Sequence, residues 1–440
     1  MQVNQVVLVL TLLVWVYVVA ADGNPASGSV AINQLENRPI KFTKYRLANG
    51  LRVVLAPDKR APIVAINISF NAGSGKEDRE QAGLASLVQN FLLQTLRPEP
   101  GRELKPFEGV VNPERASYFS EFNASQLDSM LSAFARQMRP PDIDQAFINE
   151  QQNAVEKQCS ELDNSRFGRV QEALLDVIYE DSAFNYGAIC KLPHFSAERA
   201  KSFFTTNYVP GNAVLVIVGN FKEDDARKTI AKHFGTISGQ VVRSNMPLKN
   251  QRFSTERRKI LKASRAKAAT YMSAYLTVPS NHPDWYALNI LADILGQGDT
   301  SRFYTALVAT KLAASVPEGM SESRGQSLLR IGAALLPQIN VDSVEAIIDA
   351  EIARLQNEEV TQLEMDTARS QERQYSVEQL GTELGKASFL ARSTLYYDDP
   401  NRVNTELGRM LSVKAKEVQR VARKYLVKTN RALVIAKPDA

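Results

Sequence analysis

The chain has 440 residues, 44% of them hydrophobic and 23% charged, and a formal net charge of +5. That length accommodates two or more domains with cores of their own, and the composition excludes disordered and fibrous classes. So small a charge excess does not call for a nucleic-acid partner and suits a mildly basic exported protein. At the start, Val6–Ala21 is an apolar run broken by Thr11 alone and ending in Val-Val-Ala-Ala before Asp22. It is short for a membrane span, which takes about 20 residues, and fits a signal peptide over residues 1–21, cleaved beside Ala20 or Ala21. An uncleaved anchor is the alternative, because Met1–Gln5 carries no Lys or Arg. Residues 22–37 read as a flexible leader.

From Lys41 the pattern is strand, hairpin, strand, helix. Tyr45–Leu55 holds two alternating apolar runs around Asn49-Gly50, a strong hairpin signal. Ile63–Phe70 is a further strand, and a loop with Gly73 and Gly75 leads into the helix GLASLVQNFLLQTL, residues 83–96. Helices are expected at about 125–138, 143–160, 166–179 and 196–207, then a strand at Ala213–Val218 and a helix at 223–234. The closing element recurs: NYVPGNAVLVIVGN at 207–220 is matched by KYLVKTNRALVIAKP at 424–438. RRKILKASRAKAATYMSAYLTVP at 257–279 is again a strand pair, and a long helix follows from His282 to Leu295. The chain therefore divides into a first half, 38–240, a Gly/Ser/Asn/Pro-rich linker, 241–254, and a second half, 255–440. The expected fold class is α+β: two homologous α/β halves, each an antiparallel-rich sheet with helices packed on one side, in a clam-shell arrangement.

The helix at 83–96 sets Ser86, Gln89 and Asn90 among Leu84, Leu87, Val88, Phe91 and Leu92. With histidines at 86 and 90 and a glutamate at 89, it would be the inverted zinc motif H-x-x-E-H. The chain has three histidines, His194, His233 and His282, so no two-histidine zinc site can form on this helix. Each of the three reads as a cap or surface residue, and no pair has ligand spacing. Gln89 cannot take a proton from water, and Ser86 has no base or acid beside it in sequence to make it a nucleophile. Cys159 and Cys190 lie outside any C-x-x-C arrangement, which excludes a structural zinc site and leaves pairing or separate burial open. Gly296-Gln297-Gly298 lacks the P-loop Lys-Ser/Thr and follows a helix, so it reads as a structural turn. The basic run Arg257–Lys267 alternates with apolar residues like the exposed side of an edge strand.

Over nearly all of 40–440 the chain resembles the pitrilysin and mitochondrial-processing-peptidase family of inverted zinc metallopeptidases, in its short bacterial two-half form. The stretches that carry the resemblance are LANGLRVVLAPDKRAPIVAINISFNAGSGKEDREQAGLA, VNPERASYFSEF at 111–122, FFTTNYVPGNAVLVIVGNF at 203–221 and HPDWYALNILADILGQGDTSRFYTAL at 282–307. In that family the two helix histidines and a downstream glutamate hold zinc, and the glutamate inside the motif activates water. The resemblance places Ser86 and Asn90 at the histidines, Gln89 at the base, and Lys157, next to Glu156, at the downstream ligand. An ammonium has no lone pair to give a dication. The family's Leu-Gly-x-Gly-x-x-Ser-Arg loop is Leu295–Arg302 here, which implies Gly296, Gln297, Gly298, Ser301 and Arg302 as substrate-binding residues. Its later Arg and Tyr, which help hold substrate, are replaced by Val308 and Ser315.

These substitutions imply a non-catalytic, periplasmic member of the family with no catalytic residue, no metal site and no cofactor of its own. Zinc is expected only in a partner subunit. The implied role is the inactive half of a heterodimeric zinc peptidase, enclosing peptide together with an active zinc-bearing member. The rival is a stand-alone peptide-binding or scaffolding module. Neither involves nucleic acid, nor a membrane once the signal is cleaved.

Overall fold

A computed structural model describes residues 39–60, 62–77, 83–95, 107–153, 167–180, 195–239, 250–263 and 266–438. The expected signal and leader, linker residues 241–249, Glu156, Lys157, both cysteines and His194 lie outside the described residues.

In chain order the first half contains β1 (Thr43–Arg46), β2 (Arg52–Pro57), β3 (Ile63–Phe70) and α1 (Leu84–Thr95). It continues with β4 (Glu108–Val111), β5 (Ala116–Asn123), α2 (Leu127–Arg136), a helix α3 at 145–153 and α4 (Gly168–Ile178). It closes with α5 (Ala197–Asn207), β6 (Ala213–Gly219) and α6 (Glu223–Phe234). The second half contains β7 (Arg257–Lys262), β8 (Thr270–Leu276), α7 (Pro283–Gly296), β9 (Ala313–Ser315), β10 (Glu318–Met320) and β11 (Leu328–Leu335). Five helices follow: α8 (Val341–Asn357), α9 (Gln362–Leu380), α10 (Glu383–Tyr397), α11 (Arg402–Leu411) and α12 (Ala415–Tyr425). The last element is β12 (Arg431–Lys437).

The two sheets repeat one design. The first runs β1-β2-β6-β3-β5-β4 and the second β7-β12-β8-β11-β10, with β9 beside β11. β2 pairs parallel with β6 as β7 does with β12, and every other neighbour along the shared order is antiparallel. The repeat reaches individual side chains. The Asn212 amide donates to the carbonyls of Asn207 (2.7 Å) and Asn71 (3.0 Å), at the entry to β6. Asn430, at the entry to β12, donates to Tyr425 (2.8 Å) and Leu276 (2.6 Å). Each amide ties the closing strand of its half to the end of the neighbouring strand and to the preceding helix.

Each half packs its own helices on one face of its sheet, as expected, and lends one helix to the other half. α10 lays Ala387, Leu390, Ala391 and Leu395 on Val54, Ala65, Val214, Val216 and Val218 of the first sheet. α4 lays Val170, Ala173, Leu174 and Ile178 on Met272, Ala274, Leu276, Ala432 and Val434 of the second. Both faces are thereby buried, which is why β3 and β6 read as nearly continuous apolar runs instead of alternating. At about 1.5–3 kcal/mol per fully buried aliphatic side chain, the exchange makes the halves mutually dependent. Polar contacts seal the seam: Glu114 accepts the Arg324 amide (3.0 Å) and the Ser323 hydroxyl (3.1 Å), and Arg324 Nη2 donates to Asn71 Oδ1 (2.7 Å).

Candidate functional site

Helix α1 begins at a carboxylate. Buried Glu77 accepts the backbone amides of Gly83 (2.7 Å) and Ala85 (2.6 Å), satisfying two donors that the first helical turn leaves without partners. Gly83 has φ +97°, a left-handed conformation that brings the chain into the helix without a Cβ clash. Leu84, Ala85, Leu87, Val88 and Leu92 are buried, which leaves Ser86, Gln89 and Asn90 partly exposed on one face at i, i+3 and i+4. Helix α3 docks beside that face through Phe91 and Phe147, whose rings meet edge to face with centroids 5.0 Å apart. There the Asn90 amide donates to buried Gln151 (3.0 Å). Gln89 reaches the edge strand β4, where a Cβ on Gly109 would sit 3.0 Å from its Nε2.

This donor set does not fit zinc. A hydroxyl and two amides offer no imidazole or anionic oxygen, and Asn90 points an N–H at Gln151. Among the described residues no group of three or more His, Cys, Asp and Glu is placed to hold a metal ion. Lys157 and Glu156 lie outside the described residues.

The second half builds the same place from different residues. α7 follows β8 as α1 follows β3, and α9 packs on it as α3 docks on α1. Asp293 of α7 and Glu372 of α9 lie close enough to act on each other. Burial, with Glu372 and Glu318 nearby, pushes the Asp293 carboxyl well above the usual carboxylate range, and burial pushes Glu372 up to about 7. Glu318, from edge strand β10, is also raised to about 7 by burial and folds over Gly296, where a Cβ would meet its carboxylate. Sequence reading missed this trio. Asp293 was visible as an acid in an apolar helix, but its partners come from distant elements.

The loop after α7 is held from within. Gly298 has φ +81°, the Ser301 hydroxyl donates to the Gly298 carbonyl (2.7 Å), and Gln371 donates to the Gln297 carbonyl (2.9 Å). Arg302 is nearly buried and paired with Glu364 at 2.7 Å. Val308 ends a π-helical turn, Tyr304–Val308, and Ser315 is exposed at the end of β9. His282 caps α7, its Nδ1 accepting the Asp284 amide (3.0 Å), and His233 pairs with Asp128 (2.9 Å). The basic run falls on β7, an edge strand whose Ile260 is 57% exposed.

Two family profiles match the chain in succession, meeting inside the first half. One, described as "Insulinase (Peptidase family M16)", matches residues 52–191, and the other, "Peptidase M16 inactive domain", matches 194–372. The chain belongs to the M16 peptidase family, the one whose sequence marks it carries. It is 23% identical to the zinc protease PqqE of Helicobacter pylori over 422 residues, covering 90% of this chain and 93% of that protein. The crystal structure of a protease from Helicobacter pylori superposes with a TM-score of 0.82 at 20% identity, covering 90% of this chain and all of that one. A peptidase M16 inactive domain from Pseudomonas fluorescens gives 0.80 at 16% identity, covering 91% and 98%.

Proposed function

We propose that this chain is a non-catalytic M16 subunit that closes a peptide-enclosing chamber around an active, zinc-bearing partner of the same family. One observation carries the reading. The helix face that would bear the zinc ligands keeps its capped frame, its docking helix and its neighbouring edge strand, yet offers a hydroxyl and two amides. An extended peptide added along the outer edge of β4 would lie against Gln89, held by main-chain hydrogen bonds that tolerate many side chains. Gln89 can donate and accept hydrogen bonds there but cannot act as a base, so the face is suited to holding peptide rather than cleaving it. Zinc belongs to the partner. The Val6–Ala21 run supports export to the periplasm, and no helix of the described residues is long and apolar enough to cross a membrane.

Co-expression with a family member carrying an intact H-x-x-E-H helix tests this. A one-to-one complex on size exclusion is expected, with peptidase activity above that of the partner alone and no stoichiometric zinc on this chain. A partner fully active alone and indifferent to this chain overturns the subunit reading.

A further inference from the structure

β11 carries a charge that has no counter-ion among the described residues. Along that strand Leu329, Ile331, Ala333 and Leu335 face the helices of the second half, so Leu328, Arg330, Gly332 and Ala334 face the other way, toward the side that receives α4. α4 lies across β7, β12 and β8. Its N-cap Phe167 reaches β11 at Gly332, where an added Cβ would sit 3.5 Å from the Phe167 ring and 3.0 Å from Pro317. Arg330 is the next residue on that face. It stands in register between Ala274 of β8 and Gly319 of edge strand β10. Gly319 leaves the flank open: among the described residues a Cβ there would meet nothing within 4 Å.

The guanidinium is partly buried and burial lowers its pKa, with no charge among the described residues acting on it. Three other arginines set into the fold are treated differently. Arg302 has Glu364, Arg392 has Glu322, and Arg431 has Glu345 and Asp349. A half-dehydrated cation without a counter-ion costs stability, and its planar fork of donors matches a carboxylate in two parallel hydrogen bonds.

We propose that Arg330, with the open flank over Gly319 and the wall made by Phe167 and Pro317, is a carboxylate-binding subsite for peptide at the edge of the second sheet. The subsite rests on the peptide-holding role argued above and adds a chemical preference to it. The carboxylate comes either from a peptide C-terminus or from an acidic side chain, and the two sources are separable.

The test uses the full mature chain and three fluorescein-labelled unfolded decapeptides of Ala, Ser and Thr. One has a free C-terminus, one a C-terminal amide, and one a C-terminal amide with a single internal Glu. Fluorescence anisotropy should show at least one carboxylate-bearing peptide binding about 10- to 100-fold more tightly than the plain amide, as a hydrogen-bonded charge pair implies. Tighter binding of the first peptide assigns the C-terminus as the source, and of the third the side chain. Arg330→Gln should erase the preference while leaving binding of the plain amide unchanged, and Arg330→Lys should retain part of it. Arg330→Gln should also melt no lower than wild type, since it removes an unmatched cation. Arg354→Gln, on the outer surface, serves as control and should change nothing. Peptides that bind with no carboxylate preference, or a preference that survives Arg330→Gln, overturn the subsite and leave peptide binding intact. If none of the three binds, both fall.

Discussion

The same helix pair is built twice in this molecule, once with amides and once with acids. Asn90 and Gln151 join α1 to α3, and Asp293 and Glu372 join α7 to α9. The amide pair is satisfied at any pH and carries no charge. The acid pair is neutral only while it holds its protons, and Glu318 crowds it further. The two helix pairs therefore carry opposite electrostatic liabilities. Side chains, rather than the shared fold, decide what each half does.

The largest expected effect comes from restoring the family's pattern to the first half. Ser86→His, Gln89→Glu, Asn90→His and Lys157→Glu together should make the chain retain about one zinc after dialysis, because three protein ligands and an open position define such a site. Structural zinc binding at neutral pH is worth about 10–16 kcal/mol in small peptides, so the gain is easily detected by elemental analysis. Ser86→His or Asn90→His alone should retain none. Zinc held by the unmodified chain would break the comparison outright.

Next in size is a second contrast between the halves. Where β6 opens with Ala213, β12 opens with Arg431, whose side chain is 0% exposed and pairs with Asp349 (2.6 Å), Glu345 (3.0 Å) and Glu256. Arg431→Met leaves three carboxylates with only Arg258 and Lys428, at the margin of the cluster, to balance them. It should cost about 3–5 kcal/mol in chemical denaturation. Ala213→Ser, at the matching place, should cost far less.

Much of this design was legible in the sequence. The recurrence of an Ala/Leu/Val/Ile strand after a turn with Asn revealed the two halves, and Asn212 and Asn430 prove to make matching bonds. The Asn49-Gly50 turn was legible too, although the connection between β1 and β2 spans Leu47–Leu51. The Asn49 amide is drawn away to the carbonyls of Phe234 (2.7 Å) and Ile237 (2.9 Å). The exchange of α4 and α10 was not legible, because an apolar helix face does not name the sheet it will cover. Arg330 escaped notice for a related reason. A lone arginine in a strand looks like any solvated charge until its neighbours in register are known.

A smaller effect separates the two helix pairs by pH. Glu372 has an ordinary value of 4.5 and is held at about 7 in the fold. The folded state therefore keeps a proton that the unfolded chain gives up. The stabilising contribution is complete below about pH 4.5 and is lost as pH rises through about 7. Glu372→Gln keeps a neutral hydrogen-bonding group at every pH. It should raise stability at pH 8 by on the order of 1–3 kcal/mol, change it little at pH 4.5, and flatten the slope between. Thermal melts at the two pH values measure this, and an equal effect at both would show that the acids are already matched in another way.

The smallest effect belongs to the amide pair itself. The Asn90 amide and Gln151 exchange one neutral hydrogen bond of 3.0 Å, with Gln151 only 2% exposed. Such a bond is worth about 0.5–1.5 kcal/mol net, and an unsatisfied buried amide costs somewhat more. Asn90→Ala should therefore destabilise by about 1–2 kcal/mol, because Gln151 is left without its donor. Gln151→Leu should cost less, since Asn90 is partly exposed and can turn to water. The double variant should cost less than the sum of the two, with a coupling of about 1 kcal/mol in a double-mutant cycle. That coupling should not vary between pH 5 and pH 8, since neither group titrates. A pH-dependent coupling would mean that a titrating neighbour controls this face after all, and would erase the distinction between the two helix pairs.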